Sequence, residues 1–290
     1  MLREVLEYLD LKPGMVILDA TLGTGGHAKS ILERVLPGGG LIGIDRDKES
    51  LEVARERLAE FGSAVKLVHG SFLDLDALLE NLKVKKVNGV LFDLGISTFQ
   101  LQNPERGFSF QGDGPLDMRM DKDSYISAYD LVNNLNEEEL SSLLWNFGEE
   151  RWHKRIARNL VQERGIEPIA RTAQLAKIVA RSIPVRYRHR HYRIHPATRT
   201  FQAIRIAVNR ELEILDSAVN KGIALLEKKA RICVISFHSL EDRIVKLAFR
   251  KAQADGLINI LTSKPLTPSQ IEVEANPASR SSKFRVAERV

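Results

Sequence analysis

Asp19, Asp45 and Asp93 are the residues on which chemistry is most readily built, because each closes a short apolar run rich in Val, Ile or Leu. Such runs read as buried strands. After the first comes Asp19-Ala-Thr-Leu-Gly-Thr-Gly-Gly-His27, with Gly23, Gly25 and Gly26 ahead of a helical segment that reaches Pro37. Glycines let a backbone turn sharply and approach a ligand, since no Cβ intervenes. Asp45 follows the glycine loop by about 20 residues, the spacing at which a carboxylate accepts from ribose hydroxyls. The stretch 16–47 therefore binds an adenosine-containing cofactor. Gly23-x-Gly25-x-x-Ala28 also fits the relaxed dinucleotide fingerprint, so a nicotinamide dinucleotide and S-adenosylmethionine both stand. Asp19 leans toward the second, because a carboxylate suits an amino-acid ammonium or a sulfonium and repels a pyrophosphate.

The elements that must carry these residues alternate. Residues 2–9 read as a short helix, 49–61 and 75–82 as further helices, and 65–69 and 87–93 as the third and fourth strands. Strand and helix in turn with short links predict an α/β fold with a parallel, doubly wound sheet. Ligands of such sheets lie outside the carboxyl ends of the strands. Asp19, Asp45, Phe72 and Asp93 all fall at such ends, and Phe72 is either a platform for adenine or a core anchor. The alternation then stops. Residues 103–123, rich in Gly, Pro and Asp, read as a long loop. Residues 128–134, 137–147, 152–164 and 172–183 are helical without strands between them, and Asn136 before three glutamates has the form of an N-cap. A basic loop spans 184–200, one or two helices span 201–229, and strands are expected at 231–237, 257–261 and 283–286. The predicted domains are 1–112 with 205–290, and an inserted all-helical domain at 113–204.

With 290 residues and 43% apolar content the chain supports a large core. No apolar run is long enough to span a bilayer and no signal peptide opens the chain, so no membrane partner and a cytoplasmic location are expected. The single cysteine, Cys233 in a strand-like run, excludes a disulfide framework. The net charge of +5 is unevenly spread: ten acids face two bases over 113–150, whereas fifteen Lys or Arg face two acids over 151–210. Such a block is the footprint of a phosphate-backbone partner, which charge alone cannot assign to RNA or DNA.

Several stretches together resemble one family, the S-adenosylmethionine-dependent methyltransferases that modify N4 of a cytosine in bacterial small-subunit (16S) ribosomal RNA. They are Asp19 to His27 as quoted, Ile44-Asp-Arg-Asp47, Asp93-Leu-Gly-Ile-Ser97, Glu105-Arg-Gly-Phe-Ser-Phe110, Asp113-Gly-Pro-Leu-Asp-Met-Arg-Met-Asp121, His195-Pro-Ala-Thr-Arg-Thr-Phe-Gln-Ala203, Ser236-Phe-His-Ser-Leu-Glu-Asp-Arg243 and Ser279-Arg-Ser-Ser-Lys283. They run in order through nearly the whole chain. The resemblance implies a Rossmann-like class I methyltransferase domain interrupted by a small helical domain for substrate recognition. It implies cofactor contacts at Gly25, Gly26, His27, Asp45, Phe72, Asp93 and Gln100, beside which Gly23 and Asp19 stand as our own candidates. Its partners would be 16S ribosomal RNA and the small ribosomal subunit, with a homodimer left open. Family members carry a His-x-x-Val-Leu stretch before the first helix, and this chain begins inside that pattern with Met1-Leu-Arg-Glu4.

Methyl transfer to cytosine N4 needs an in-line geometry and an acceptor for the amine proton, because the N4 lone pair is delocalised into the ring. Asp93 is the candidate acceptor, although Asp93-Leu-Gly-Ile keeps only half of the Asp-Pro-Pro-aromatic pattern of amino-methyltransferases; the plain alternative is a loop-capping Asp. A base drawn out of its stack needs platforms, for which Phe108, Phe110 and Tyr192 are candidates, although each aromatic taken singly reads as core before it reads as platform; Arg193 and Arg199 are candidates for phosphates. Asp117 and Asp121 either pair with Arg119 between them or accept from the cytosine amine. His189, His191 and His195 lack the partners of a zinc spacing, so no metal is expected and contact with RNA is preferred for His195. His238 is a general base or a loop anchor. The rival functions are an NAD-linked Rossmann oxidoreductase and a non-catalytic RNA-binding protein.

Overall fold

The runs read as strands do form them. In the computed structural model, which describes residues 1–184 and 195–290, β1 (Val16–Asp19), β2 (Gly40–Asp45), β3 (Val65–His69) and β4 (Val87–Asp93) are parallel neighbours. β5 (Leu226–Ser236) lies parallel beside β4. β6 (Ile258–Ile260) and β7 (Lys283–Arg289) complete a seven-stranded sheet of order β3-β2-β1-β4-β5-β7-β6. The order runs one way from β1 to β3 and the other way from β4 onward. That reversal opens a crevice at the carboxyl ends of β1 and β4.

The chain divides into two compact units, Met1–Gly95 with Leu212–Val290, and Ile96–Glu211. In the first, consecutive strand residues point to opposite faces, and both faces are apolar. Ile17, Leu41, Leu91 and Cys233 pack on one side with α2 (Gly26–Val35), which follows α1 (Leu2–Tyr8). Leu18, Ile42, Phe92 and Val234 pack on the other. Ala28, Ile31, Leu32 and Val35 of α2 are all fully buried, the spacing that puts four side chains on one helix face. Ile31, Leu32 and Val35 each contribute ~1.5–3 kcal/mol by leaving water. α3 (Lys48–Arg57) lies between β2 and β3, capped by Asp47 through the N–H of Glu49, and α4 (Leu75–Asn81) buries Leu75 and Leu79.

The second unit holds α5 (Thr98–Gln102), α6 (Ala128–Asn134), α7 (Glu137–Gly148), α8 (His153–Arg164), α9 (Thr172–Ser182) and α10 (Thr198–Asn209). Asn136 caps α7 as predicted, in a reciprocal box with Glu139. The unit is larger than the 113–204 expected, because the long loop joins its core. Phe108, Leu116, Met118 and Met120 are buried with Leu140, Ile156, Val179 and Phe201. Two polar side chains pin that loop. Arg106, 1% exposed, donates from Nη2 to the carbonyls of Arg119 (3.0 Å) and Met120 (2.9 Å). Asn209 donates to the Met118 carbonyl and accepts from the Met120 N–H, both at 2.8 Å. An Asn at 209 that fastens residue 118 also explains why the boundary falls after Glu211 and not at 204.

α11 (Glu211–Leu225) starts after Arg210, whose φ of 51° divides the stretch into two helices, one of the two expected forms. β5 begins five residues earlier than expected. Its leading Glu227-Lys-Lys229 is solvent-exposed, Lys229 has φ 64°, and the register on β4 shifts there. A charged, bulged strand end carries no apolar signal. After β5, α12 (Ser239–Ala254) returns the chain to β6; a short α13 (Gln270–Ala275) then precedes β7, which fills the gap between β5 and β6 antiparallel to both. The sheet is therefore parallel only from β3 to β5. Among the described residues no helix is long and apolar enough to cross a membrane.

Candidate active site

Where β1 ends, its neighbours carry the backbone a little further. Ala20 N–H reaches the Leu91 carbonyl at 2.9 Å and Leu22 N–H the Ile44 carbonyl at 3.0 Å. The glycine loop then turns away, with φ of 54° at Gly23 and 79° at Gly25. Gly25 is the N-cap of α2 and no side chain caps that helix, so its first N–H groups face outward for an anionic group. A Cβ on Gly25 would also press on Leu58 at 3.2 Å.

Asp45 grips this loop. Its carboxylate accepts from Gly23 N–H at 2.7 Å and Asp47 N–H at 2.8 Å. Burial raises its pKa while the two N–H bonds act against that rise. One lone pair on each oxygen remains for ribose hydroxyls. Phe72, half-buried at the end of β3, stands edge-on to Phe92 at 5.9 Å, with the Arg46 guanidinium over its ring at 5.8 Å. It is anchored to the core on one side, as its core-anchor reading expected.

At the end of β4, Asp93 has Oδ1 buried without a partner and Oδ2 3.5 Å from His27 Nδ1. Desolvation raises its pKa, and the His27 imidazole opposes the rise. Asp19 is placed differently from our expectation. It is 1% exposed and its carboxylate accepts from Thr21 N–H at 3.1 Å, so it supports the loop from below instead of meeting a ligand. Burial pushes its pKa up to about 7.

The second unit holds the remaining candidates. Gln100 is 4% exposed and closes a capping box with Ser97 at the start of α5. Phe108, 5% exposed, is core with the Arg106 guanidinium 5.9 Å from its ring, and so has no face for a base. Phe110 is stacked on His195 (ring centroids 4.4 Å) and meets Phe201 edge-on at 5.1 Å, which engages both aromatic candidates with each other. Asp117 takes Arg119 in a bidentate pair at 2.9 and 2.7 Å, and the Arg119 partner holds its carboxyl below the usual range against desolvation. Pairing, not amine recognition, is what Asp117 does here. Asp121 accepts from Asp123 N–H, and exposed Arg199 donates to the Glu149 carbonyl at 2.9 Å, closing the end of α7. Tyr192, Arg193, His189 and His191 lie outside the described residues. Back in the first unit, His238 caps α12 in a box with Glu241, its Nε2 3.2 Å from Glu241 Oε1, which makes it the loop anchor of the two readings.

Two site residues escaped sequence reasoning. Thr21 accepts from Asp93 N–H through its hydroxyl at 2.6 Å, and Arg46 lies over Phe72. A Thr two residues after a strand-ending acid was the only available sign of the first.

Compared with known proteins, the whole chain, residues 1–290, matches the model of the MraW methylase family. The chain belongs to that family. Relatives include the ribosomal RNA small subunit methyltransferase H of Sulfurihydrogenibium sp., 50% identical over 99% of this chain and 97% of its own. The protein of the same name from Thermotoga neapolitana is 50% identical over 100% of this chain and 95% of its own. A solved Clostridium thermocellum protein, provisionally assigned as an rRNA methylase, superposes with TM-score 0.50 at 13% identity, covering 100% of this chain and 97% of that one, and so shares the fold. As an MraW methylase the protein uses S-adenosylmethionine, which removes the nicotinamide alternative. The first unit fits that cofactor: a carboxylate with free lone pairs at Asp45, uncapped N–H groups on α2, and a buried acceptor atom on Asp93 without a partner.

Proposed function

We propose that this protein methylates N4 of a cytidine in small-subunit (16S) ribosomal RNA. The observation that carries the reading is the half-buried Asp93 carboxylate, its Oδ1 without a hydrogen-bond partner, set at the crevice of an MraW methylase. The names of the relatives support the choice of RNA.

S-adenosylmethionine supplies an activated methyl group when bound. Asp45 would hold its ribose, the N–H groups at the start of α2 its carboxylate, and Phe72 the adenine edge. Asp93 would accept a hydrogen bond from the N4 amine, localise the lone pair for attack and stabilise the positive charge that develops on nitrogen. Because desolvation raises the Asp93 pKa, the acid limb of the rate lies higher than a free aspartate would set it, activity rising as Asp93 ionises. The helical unit, with its excess of Lys and Arg over 151–210, would hold the RNA backbone, and a ribosomal substrate puts the enzyme in the cytoplasm.

The test is transfer of labelled methyl groups from S-adenosylmethionine to small ribosomal subunits, and to their naked RNA, prepared from cells lacking this gene. Mass mapping of the product is expected to place the label on N4 of one cytidine. Label on another base, or on no RNA, would end the reading.

A further inference from the structure

Asp93 is not held in place by its own side chain. Its Oδ1 has no partner, and 3.5 Å from Oδ2 to His27 Nδ1 is too long for a strong hydrogen bond. Its backbone is also short of support on one side. The β1–β4 ladder ends at the pair Asp19 and Leu91, two residues before Asp93, because the chain after β1 turns into the glycine loop. Thr21 fills the missing rung. Its hydroxyl accepts from Asp93 N–H at 2.6 Å, where a strand would have offered a carbonyl. Thr21 is itself held from beneath, since the Asp19 carboxylate accepts from Thr21 N–H at 3.1 Å. Asp19 thus fixes the Thr21 backbone, and the Thr21 hydroxyl in turn receives the Asp93 N–H.

From this we infer that Thr21, oriented by buried Asp19, is a positioning residue for methyl transfer: its hydroxyl sets the backbone from which the Asp93 carboxylate meets the acceptor amine. The inference rests on the reading of Asp93 as the amine acceptor. Val in place of Thr keeps the shape and removes the hydroxyl, leaving the Asp93 N–H without its acceptor. A misplacement on the order of 1 Å costs up to about 100-fold in rate.

The experiment uses the full chain with unmodified small subunits as substrate, comparing Thr21→Val, Thr21→Ser, Thr21→Ala, Asp93→Asn and the Thr21→Val/Asp93→Asn pair. Calorimetric binding of S-adenosylmethionine reports that each variant is folded and its cofactor site intact. Thr21→Val and Thr21→Ala are expected to lower kcat by about 10- to 100-fold with KM for the subunit and cofactor affinity within about threefold, and Thr21→Ser to restore kcat. In the Asp93→Asn background Thr21→Val is expected to cost nothing further. Wild-type kcat in Thr21→Val and Thr21→Ala, losses that multiply in the double variant, or a cofactor-affinity loss as large as the kcat loss would each overturn the inference. Full activity in Asp93→Asn would instead remove the amine-acceptor reading beneath it.

Discussion

At the scale of single residues, burial decides what each acid does. Asp19 stands at a pKa of about 7 in the folded chain against 3.8 for the free side chain. Between those values the folded protein holds a proton that the unfolded one has lost, so stability falls as pH rises through the window. The full cost, ~4 kcal/mol for a shift of this size, is present above the upper value. Asp19→Asn keeps an acceptor for Thr21 without the charge. Thermal melts from pH 4 to 8 are expected to show the variant gaining on the parent as pH rises, with the larger advantage at pH 8; a constant difference would mean that Asp19 does not titrate in this window. Asp45 and Asp93 were legible in the sequence because each closes an apolar strand, and strand ends in this architecture converge. Asp19 was legible as a position but not as a role, since nothing in a sequence distinguishes an acid beneath a loop from one above it. Phe108, in a Gly-rich stretch, takes the core reading that stood beside the platform one.

Among the elements, the loop from β1 to α2 carries the most constraint for its length. Gly25 combines a left-handed φ with a tight approach to Leu58. Gly25→Ala is expected to destabilise the fold by about 1–3 kcal/mol and to weaken S-adenosylmethionine binding at least tenfold in calorimetry, through displacement of the α2 N–H groups. Unchanged affinity would separate that loop from the cofactor. The β1–α2–β2 rhythm was readable because glycines, apolar runs and a following acid are local signals. The early start of β5 was not, as Glu227, Lys228 and Lys229 face solvent and disguise a strand. The ordering of residues 103–123 was equally hidden. It depends on Arg106 and Asn209, and the bonds Asn209 makes lie some 90 residues away in sequence.

For the molecule as a whole, the proposed function would divide the work between the two units, the sheet for cofactor and amine, the helical unit for the RNA backbone. Lys154 and Arg155 are exposed on α8 within the basic segment. Charge reversal at both is expected to raise KM for the ribosomal substrate and to flatten its salt dependence by about two contacts, with kcat retained; a fall in kcat with unchanged KM would place them elsewhere in the mechanism. The division into a sheet with a helical insertion was visible in the switch from alternating strands to helices. Its borders were not, because an insertion is bounded by what it packs with, and loop residues 96–112 pack with the helices.

That Asp93 receives the amine is tested directly in cells lacking this gene and supplied with either the parent or Asp93→Asn at equal protein level. Mass mapping of their small-subunit RNA is expected to find N4-methylcytidine with the parent and a strongly diminished mark with the variant. An undiminished methyl mark with Asp93→Asn would contradict the account.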